Sequence, residues 1–179
     1  MVRPMSTIDL IILGFLLERS MNAYDLASLI TDKQIYRFLK ISTPAIYKRC
    51  KRLYTDGFLD GVRVKEGEQH EKTVYSVNGN GKERFFELME HFSSSFTPFF
   101  LDCNVFIWNI EKLERERGLK MLLSLQEELI GLNRWIVEHE RNEIGNISFS
   151  GRAIVSQYRM VLSTLCDWVK NVIEDYKKL

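Results

Sequence analysis

A cluster of positive charge lies between residues 33 and 55 of a chain whose net charge is only +1. No acidic residue interrupts it, and its cations are Lys33, Arg37, Lys40, Lys48, Arg49, Lys51 and Arg52. Lysine and arginine neutralise phosphates, and the hydroxyl groups of Ser42, Thr43 and Tyr47 can donate hydrogen bonds to the same kind of backbone. The chemistry that these residue types predict is therefore the binding of an anionic polymer.

The second half of this cluster has the pattern of an amphipathic helix. Thr43 and Pro44 are typical of a helix start, because a hydroxyl can cap free N–H groups and proline early in a helix loses no hydrogen bond. Gly57 predicts the helix end. At 100° per residue one arc is apolar (Ile46, Cys50, Leu53, Tyr54 and the ring base of Tyr47), and the other holds Pro44, Ala45, Lys48, Lys51 and Arg52. We expect the apolar face to pack on a core and the basic face to meet a nucleic acid.

The elements around this helix predict a mainly α, α+β winged helix-turn-helix domain over residues 1–92. Ser6 and Asn22 are candidate caps of two preceding helices. Residues 59–64 and 73–77 alternate like the strands of a hairpin, residues 78–81 (NGNG) suggest a turn, and residues 82–92 return to helical spacing. In this order the third helix can enter a DNA major groove with the hairpin beside it.

The hairpin tip, residues 65–72, carries more acidic than basic side chains. Glutamates there are repelled by phosphates, so only Arg63, Lys65 and Lys72 are candidate DNA contacts, and a merely solvated loop is the alternative.

Residues 93–179 form a second predicted domain, which starts with the boundary run SSSFTP at 93–98 and is helical beyond it. Two stretches have the spacing of a coiled-coil seam, namely Leu122, Leu125, Leu129, Leu132 and Ile136, then Ile154, Tyr158, Val161, Leu165, Trp168 and Val172. We interpret them as a homodimer interface, because two narrow seams leave apolar surface that a second copy can cover. The alternative is an antiparallel helix pair that covers its own core.

An aromatic cluster lies at the joint between the two domains: Phe96, Phe99, Phe100, Phe106 and Trp108. It has two interpretations, the core of a hinge or a pocket for a small apolar or aromatic effector, since such sites are common at domain boundaries.

Composition excludes several other classes. The 45% hydrophobic and 27% charged residues are typical of an ordinary globular chain. The three cysteines lack CxxC spacing, the histidines are isolated, and no nucleophile or nucleotide motif occurs, so we predict no enzyme, cofactor or metal site. The apolar run at residues 8–17 is too short for a bilayer and lacks a signal-peptide layout, so we expect a cytoplasmic protein without a membrane partner.

Three segments resemble the PadR family of bacterial transcriptional regulators, and the resemblance covers the whole chain. They are IDLIILGFLLERSMNAYDLA, STPAIYKRCKRLYTDGFLD and TVYSVNGNGKERF. The resemblance implies a homodimer, held mainly by C-terminal helices of the longer two-helix type, that binds an inverted-repeat operator and represses transcription. Release by a small molecule is a further implication. By position, Ser42, Thr43, Tyr47, Lys48 and Lys51 would contact DNA.

Two other functions stay open at the level of sequence. A redox-sensing transcription factor would need an accessible thiol of low pKa, and Cys103 beside Asp102 is a poor candidate. A winged-helix module for protein interaction would keep the fold but would not bind DNA.

Overall fold

The computed structural model describes residues 5–65, 71–96, 100–143 and 148–179. The chain divides into two compact units, residues 1–98 and residues 99–179. Unit 1 and unit 2 below refer to these ranges.

Unit 1 has the predicted order of three helices, a hairpin and a fourth helix. Its elements are α1 (Thr7–Glu18), β1 (Met21–Asn22), α2 (Ala23–Asp32), α3 (Thr43–Thr55), β2 (Leu59–Val64), β3 (Lys72–Val77) and α4 (Gly79–Ser94), with a 3-10 turn at Ile35–Arg37. The strands form one antiparallel sheet in the order β1-β3-β2. The mainly α winged-helix fold is thereby confirmed.

The helix starts in unit 1 follow from local hydrogen bonds. Ser6 Oγ accepts the N–H of Asp9 at 3.3 Å. Asn22 Oδ1 accepts the N–H groups of Tyr24 at 2.9 Å and Asp25 at 3.0 Å. Both predicted caps are confirmed, because each side-chain oxygen satisfies a backbone donor that the helix cannot.

The predicted hydroxyl cap of α3 is wrong. Ser42 is the capping residue, but its side chain makes no capping hydrogen bond. Pro44, in the first turn, has no N–H to offer, which removes one of the donors that such a cap would serve. The end of α3 is as predicted, since Gly57 has φ of +79°, the left-handed conformation that glycine adopts at little cost.

The predicted turn at residues 78–81 is also wrong, because α4 begins there. Asn78 Oδ1 accepts the N–H of Gly81 at 3.0 Å, so Asn78 caps a helix that starts at Gly79. The Cα of Gly81 lies so close to the Phe58 carbonyl that an added Cβ would overlap it. Glycine at this position therefore serves close packing between the start of α4 and the hairpin.

The core of unit 1 joins all four of its helices. Its fully buried large side chains are Ile12, Leu13, Leu26, Ile46 and Leu88. Leu59 at the start of β2 is also buried, and Tyr75 of β3 packs against the same cluster. Helix α3 is thus held to the rest of unit 1 along one face.

Unit 2 consists of a short helix and a long helix pair. Helix α5 (Cys103–Asn109) continues into a 3-10 turn (Ile110–Lys112), and α6 (Arg115–Glu143) packs against α7 (Phe149–Tyr176). The buried side chains between them are Ile110, Leu122, Leu129, Val169, Ile173 and Tyr176. Among the described residues, none of the helices is both long and apolar enough to cross a bilayer.

Candidate nucleic-acid interface

Helix α3 separates an apolar and a basic face as its sequence pattern predicts, except at Tyr54, which was assigned to the apolar face and is exposed. Ile46, Cys50 and Leu53 are buried at 2%, 0% and 3% exposure. The residues predicted to contact DNA are all exposed: Ser42, Thr43, Pro44, Tyr47, Lys48, Lys51 and Arg52. Because the apolar positions recur every three to four residues, burying them turns the intervening positions outward together. The predicted contact residues thus lie together on the exposed side of α3.

The tyrosines of α3 extend this surface. Tyr47 is 43% exposed, and Tyr54, which the helical projection assigned to the apolar arc, is 46% exposed. The Tyr54 ring packs on Tyr75 of β3 with centroids 5.9 Å apart. Because its side chain is exposed, Tyr47 offers both a ring face and a hydroxyl donor at the surface.

The positive charges on this face are only partly balanced. Arg52 Nε lies 3.5 Å from Asp56 Oδ2, and both side chains are exposed. Lys48 and Lys51 form no ion pair with any carboxylate in the part of the chain that the structure describes. An exposed pair such as Arg52–Asp56 is weak and opens easily, so all three cations are available to an anionic ligand.

Arg49 does not belong to the exposed set. Its Nε donates to Asp9 Oδ1 at 2.5 Å, and its Nη2 donates to Asp9 Oδ2. The Arg49 side chain is 18% exposed and that of Asp9 only 6%. Sequence reasoning counted Arg49 among the cations of the cluster, although its place three residues after Ile46 puts it beside the buried face.

The candidate contacts in the hairpin differ in their surroundings. Arg63 Nη1 lies 3.7 Å from Glu71 Oε2, and both side chains are exposed. Lys65 is exposed, whereas Lys72 is half-buried. The rest of the acidic tip, residues 66–70, lies outside the described residues. The Arg63–Glu71 pair lowers the net positive charge that this hairpin offers to phosphates.

The predicted interface residues of unit 2 fall into two groups. Within one chain, Leu122, Leu129 and Ile136 are buried. The half-buried residues that pack against the core around Leu122 and Leu129 are Leu125, Leu165, Trp168 and Val172. Leu132, Tyr158 and Val161 are exposed at 50%, 39% and 41%. Much of the predicted seam therefore packs into the core between α6 and α7 of the same chain, because the adjacent antiparallel helix covers most of an apolar stripe of this width.

The predicted aromatic pocket is only partly described. Phe96, Phe100 and Trp108 are more than 80% exposed, and Phe106 packs against the core of unit 2. Trp108 lines a shallow depression with Asn104, Ile107 and Glu111. Phe99 lies outside the described residues.

Two of the three cysteines, Cys50 and Cys166, have surroundings that raise the pKa of the thiol. Complete burial raises the pKa of Cys50 to about 12. Burial and the neighbouring Asp167 raise the pKa of Cys166. A thiol that stays protonated is a poor nucleophile toward oxidants, so neither residue has the chemistry of a redox sensor.

Comparison with solved structures identifies the fold of this chain. No protein-family model matches the sequence, and no curated protein matches it. Solved structures do match: Bacillus subtilis PadR in complex with operator DNA has 17% identity and a TM-score of 0.77, with 97% of this chain and 99% of that chain covered. The same protein in complex with p-coumaric acid has 14% identity and a TM-score of 0.74, with 99% of both chains covered.

A regulator of another genus shares the same architecture. The Vibrio cholerae virulence activator AphA has 18% identity and a TM-score of 0.70, with 96% of this chain and 99% of that chain covered. The resemblance seen in the sequence is therefore confirmed at the level of the fold. From the winged helix through the C-terminal helices, this chain has the fold of the PadR and PadR-like transcriptional regulators.

Proposed function

We propose that this protein is a DNA-binding transcriptional regulator, not an enzyme, and that it inserts α3 into the major groove. The observation that carries the proposal is the outward face of α3, on which every predicted contact residue is exposed and no acidic residue occurs. The fold supports it, because the third helix of a winged helix-turn-helix domain is the element suited to the groove. The likeness to PadR, solved with operator DNA, supports it further.

The chemistry of this face divides into two tasks. Lys48, Lys51 and Arg52 would neutralise phosphates or reach base edges, and the hydroxyl groups of Ser42, Thr43 and Tyr47 would donate hydrogen bonds. Phosphate contacts supply most of the affinity and make it fall steeply with salt. Arg63 and Lys72 of the hairpin would add contacts beside the groove.

We further propose that the protein acts in the cytoplasm as a homodimer on an inverted-repeat operator. The apolar side chains that one copy leaves exposed on α6 and α7, among them Leu132, Tyr158 and Val161, support this oligomeric state. A twofold dimer presents two copies of α3, so its operator carries two half-sites of opposite orientation. Occupying a promoter in this way represses transcription.

The exposed aromatic side chains of Phe100 and Trp108 in unit 2 support a small apolar or aromatic effector. PadR was solved with p-coumaric acid, a ligand of this chemical type. An effector that binds better to a dimer with an altered α3 separation would lower operator affinity by its differential affinity for the two states.

Selection of bound fragments from genomic DNA, followed by binding measurements at several salt concentrations, tests the DNA-binding function. The test variant is Tyr47→Ala/Lys51→Ala. Phe86→Ala/Lys82→Ala on α4 is the matched control, since it also removes one exposed ring and one exposed cation. We expect the native protein and the control to bind one selected sequence tightly, and the test variant to bind at least about tenfold more weakly.

Binding by the native protein that never exceeds its affinity for random DNA would contradict this function. The remaining candidate would then be a winged-helix module that binds another protein.

A further inference from the structure

Two charged residues that lie 40 positions apart meet inside unit 1. Asp9 of α1 and Arg49 of α3 form a bidentate ion pair, and Asp9 is 4% exposed. The proposed contacts with DNA do not use either residue. We propose that this pair fixes the rotation of α3 about its own axis, and that Asp9 and Arg49 are positioning residues for operator recognition.

The geometry of the pair makes it suited to this role. A guanidinium group is planar, and its two parallel hydrogen bonds to a carboxylate fix orientation as well as distance. Asp9 lies in α1, close to Ile12 and Leu13, which are fully buried. The carboxylate is thus attached to a helix that is packed into the core of unit 1, and α3 is the element that it orients.

Apolar contacts alone restrict the rotation of a helix about its axis less strictly than a bidentate ion pair does. Ile46, Cys50 and Leu53 bury one side of α3, but hydrophobic contacts are not directional. At a helix radius of about 6 Å with side chains, a rotation of about 20° moves a side-chain tip by about 2 Å. Such a displacement breaks a hydrogen bond to a base edge. It barely alters the attraction between exposed cations and the phosphate backbone, which acts over about 10 Å.

This inference rests on the proposed DNA-binding function and predicts a specific defect. A chain without the bidentate pair should keep its non-specific affinity and the salt dependence of binding, but lose discrimination between the operator and random DNA. If the ion pair were purely structural, its removal would instead lower thermal stability, and the protein that remains folded would discriminate between operator and random DNA as the native protein does.

The decisive variant is Arg49→Lys, which keeps the positive charge and removes the planar fork. Asp9→Asn is the second variant, since it keeps the shape of the side chain but replaces one acceptor oxygen by an NH2 group and so cannot accept both hydrogen bonds of Arg49. Arg84→Lys is the matched control: Arg84 is also buried in unit 1, and its Nη1 lies 3.0 Å from Glu87 Oε2 within α4. Operator affinity, random-DNA affinity and thermal unfolding are measured for the native protein, for these three variants and for the Arg49→Lys/Asp9→Asn double variant.

For Arg49→Lys and Asp9→Asn we expect the ratio of operator to random-DNA affinity to fall at least about tenfold, with random-DNA affinity within about twofold of native. The double variant should be no worse than either single one, because both break the same pair. Arg84→Lys should lose thermal stability and keep the ratio.

An unchanged ratio in Arg49→Lys and Asp9→Asn, alongside operator binding by the native protein, would overturn the positioning role and leave the DNA-binding function intact. Failure of the native protein to prefer any sequence would overturn both.

Discussion

The two units of this protein bury their apolar side chains to different extents. In unit 1 four helices and the sheet close around one core, and the face of α3 that stays outside is basic and polar. In unit 2 the α6–α7 pair has a core around Leu122 and Val169, yet Tyr158 continues the core stripe of α7 and is 39% exposed. Met121, Leu132 and Trp135 lie on one side of α6 and are exposed as well.

This difference indicates how the tasks are divided. Unit 1 has the larger core and leaves the basic face of α3 free for a polar ligand, although Phe86 and Met89 of α4 are also exposed, at 62% and 48%. A helix pair that leaves apolar stripes exposed gains stability from a partner surface. We therefore expect the stability of unit 1 to be independent of protein concentration and that of unit 2 to depend on it.

The largest expected effect comes from a substitution that disrupts the proposed partner surface of unit 2. Leu132→Glu should raise the dissociation constant of the dimer at least about 100-fold, because each interface would bury two unpaired carboxylates at several kcal/mol. Sedimentation equilibrium measures it. Phe86→Glu, which changes an exposed apolar residue of unit 1, is the control and should stay dimeric; a Leu132→Glu protein that is as dimeric as native would remove the contrast between the units.

The next largest effect concerns the self-contained core of unit 1. Gly81→Ala should lower the free energy of unfolding by about 1–3 kcal/mol, because its Cβ overlaps the Phe58 carbonyl. Gly79→Ala, in the same helical turn and with open space around its Cβ, should cost less than about 0.5 kcal/mol. Urea unfolding of both variants measures the difference, and equal stabilities would mean that the backbone at residue 81 is not closely packed.

A smaller effect tests the polar surface of unit 1. Lys48→Ala should change stability by less than about 0.5 kcal/mol, because the side chain is exposed. It should weaken binding to all DNA sequences alike and lower the slope of log affinity against log salt by about 0.9 per chain. A loss restricted to one sequence would instead indicate that Lys48 contacts a base.

The smallest effect concerns Cys50, which should not react at neutral pH. Its pKa is raised by burial to about 12 from 9.0. The neutral thiol therefore stabilises the folded state fully below pH 9, and this contribution is lost as the pH rises from 9 toward 12. Alkylation at pH 8 followed by mass spectrometry should modify Cys50 only in unfolded protein; rapid modification of folded protein would contradict the burial of this thiol.

Local hydrogen-bonding patterns made most of unit 1 predictable from sequence. Ser6 and Asn22 accept hydrogen bonds from N–H groups no more than three residues away, and Gly57 ends the helix just before it. Their roles therefore follow from the neighbouring sequence. The two-residue strand β1 was not predicted, because Met21 and Asn22 are too few to show alternation, and their pairing with Tyr75 and Val74 is set by tertiary structure.

The site was predictable on α3 and less so elsewhere. Spacing alone identified its exposed face, but it could not pair Arg49 with Asp9, since contacts between distant residues leave no periodic signal. In unit 2 the spacing identified the apolar stripes. It could not say whether a stripe is covered by the same chain or by a second copy, and Leu122 and Leu132 show both kinds of surroundings.

The most direct test of the whole account is the stoichiometry of the native protein on its selected operator, measured by analytical ultracentrifugation across a salt series. The account predicts two chains per operator and an affinity that falls steeply as salt rises. One chain per operator, or an affinity that salt does not change, would contradict it.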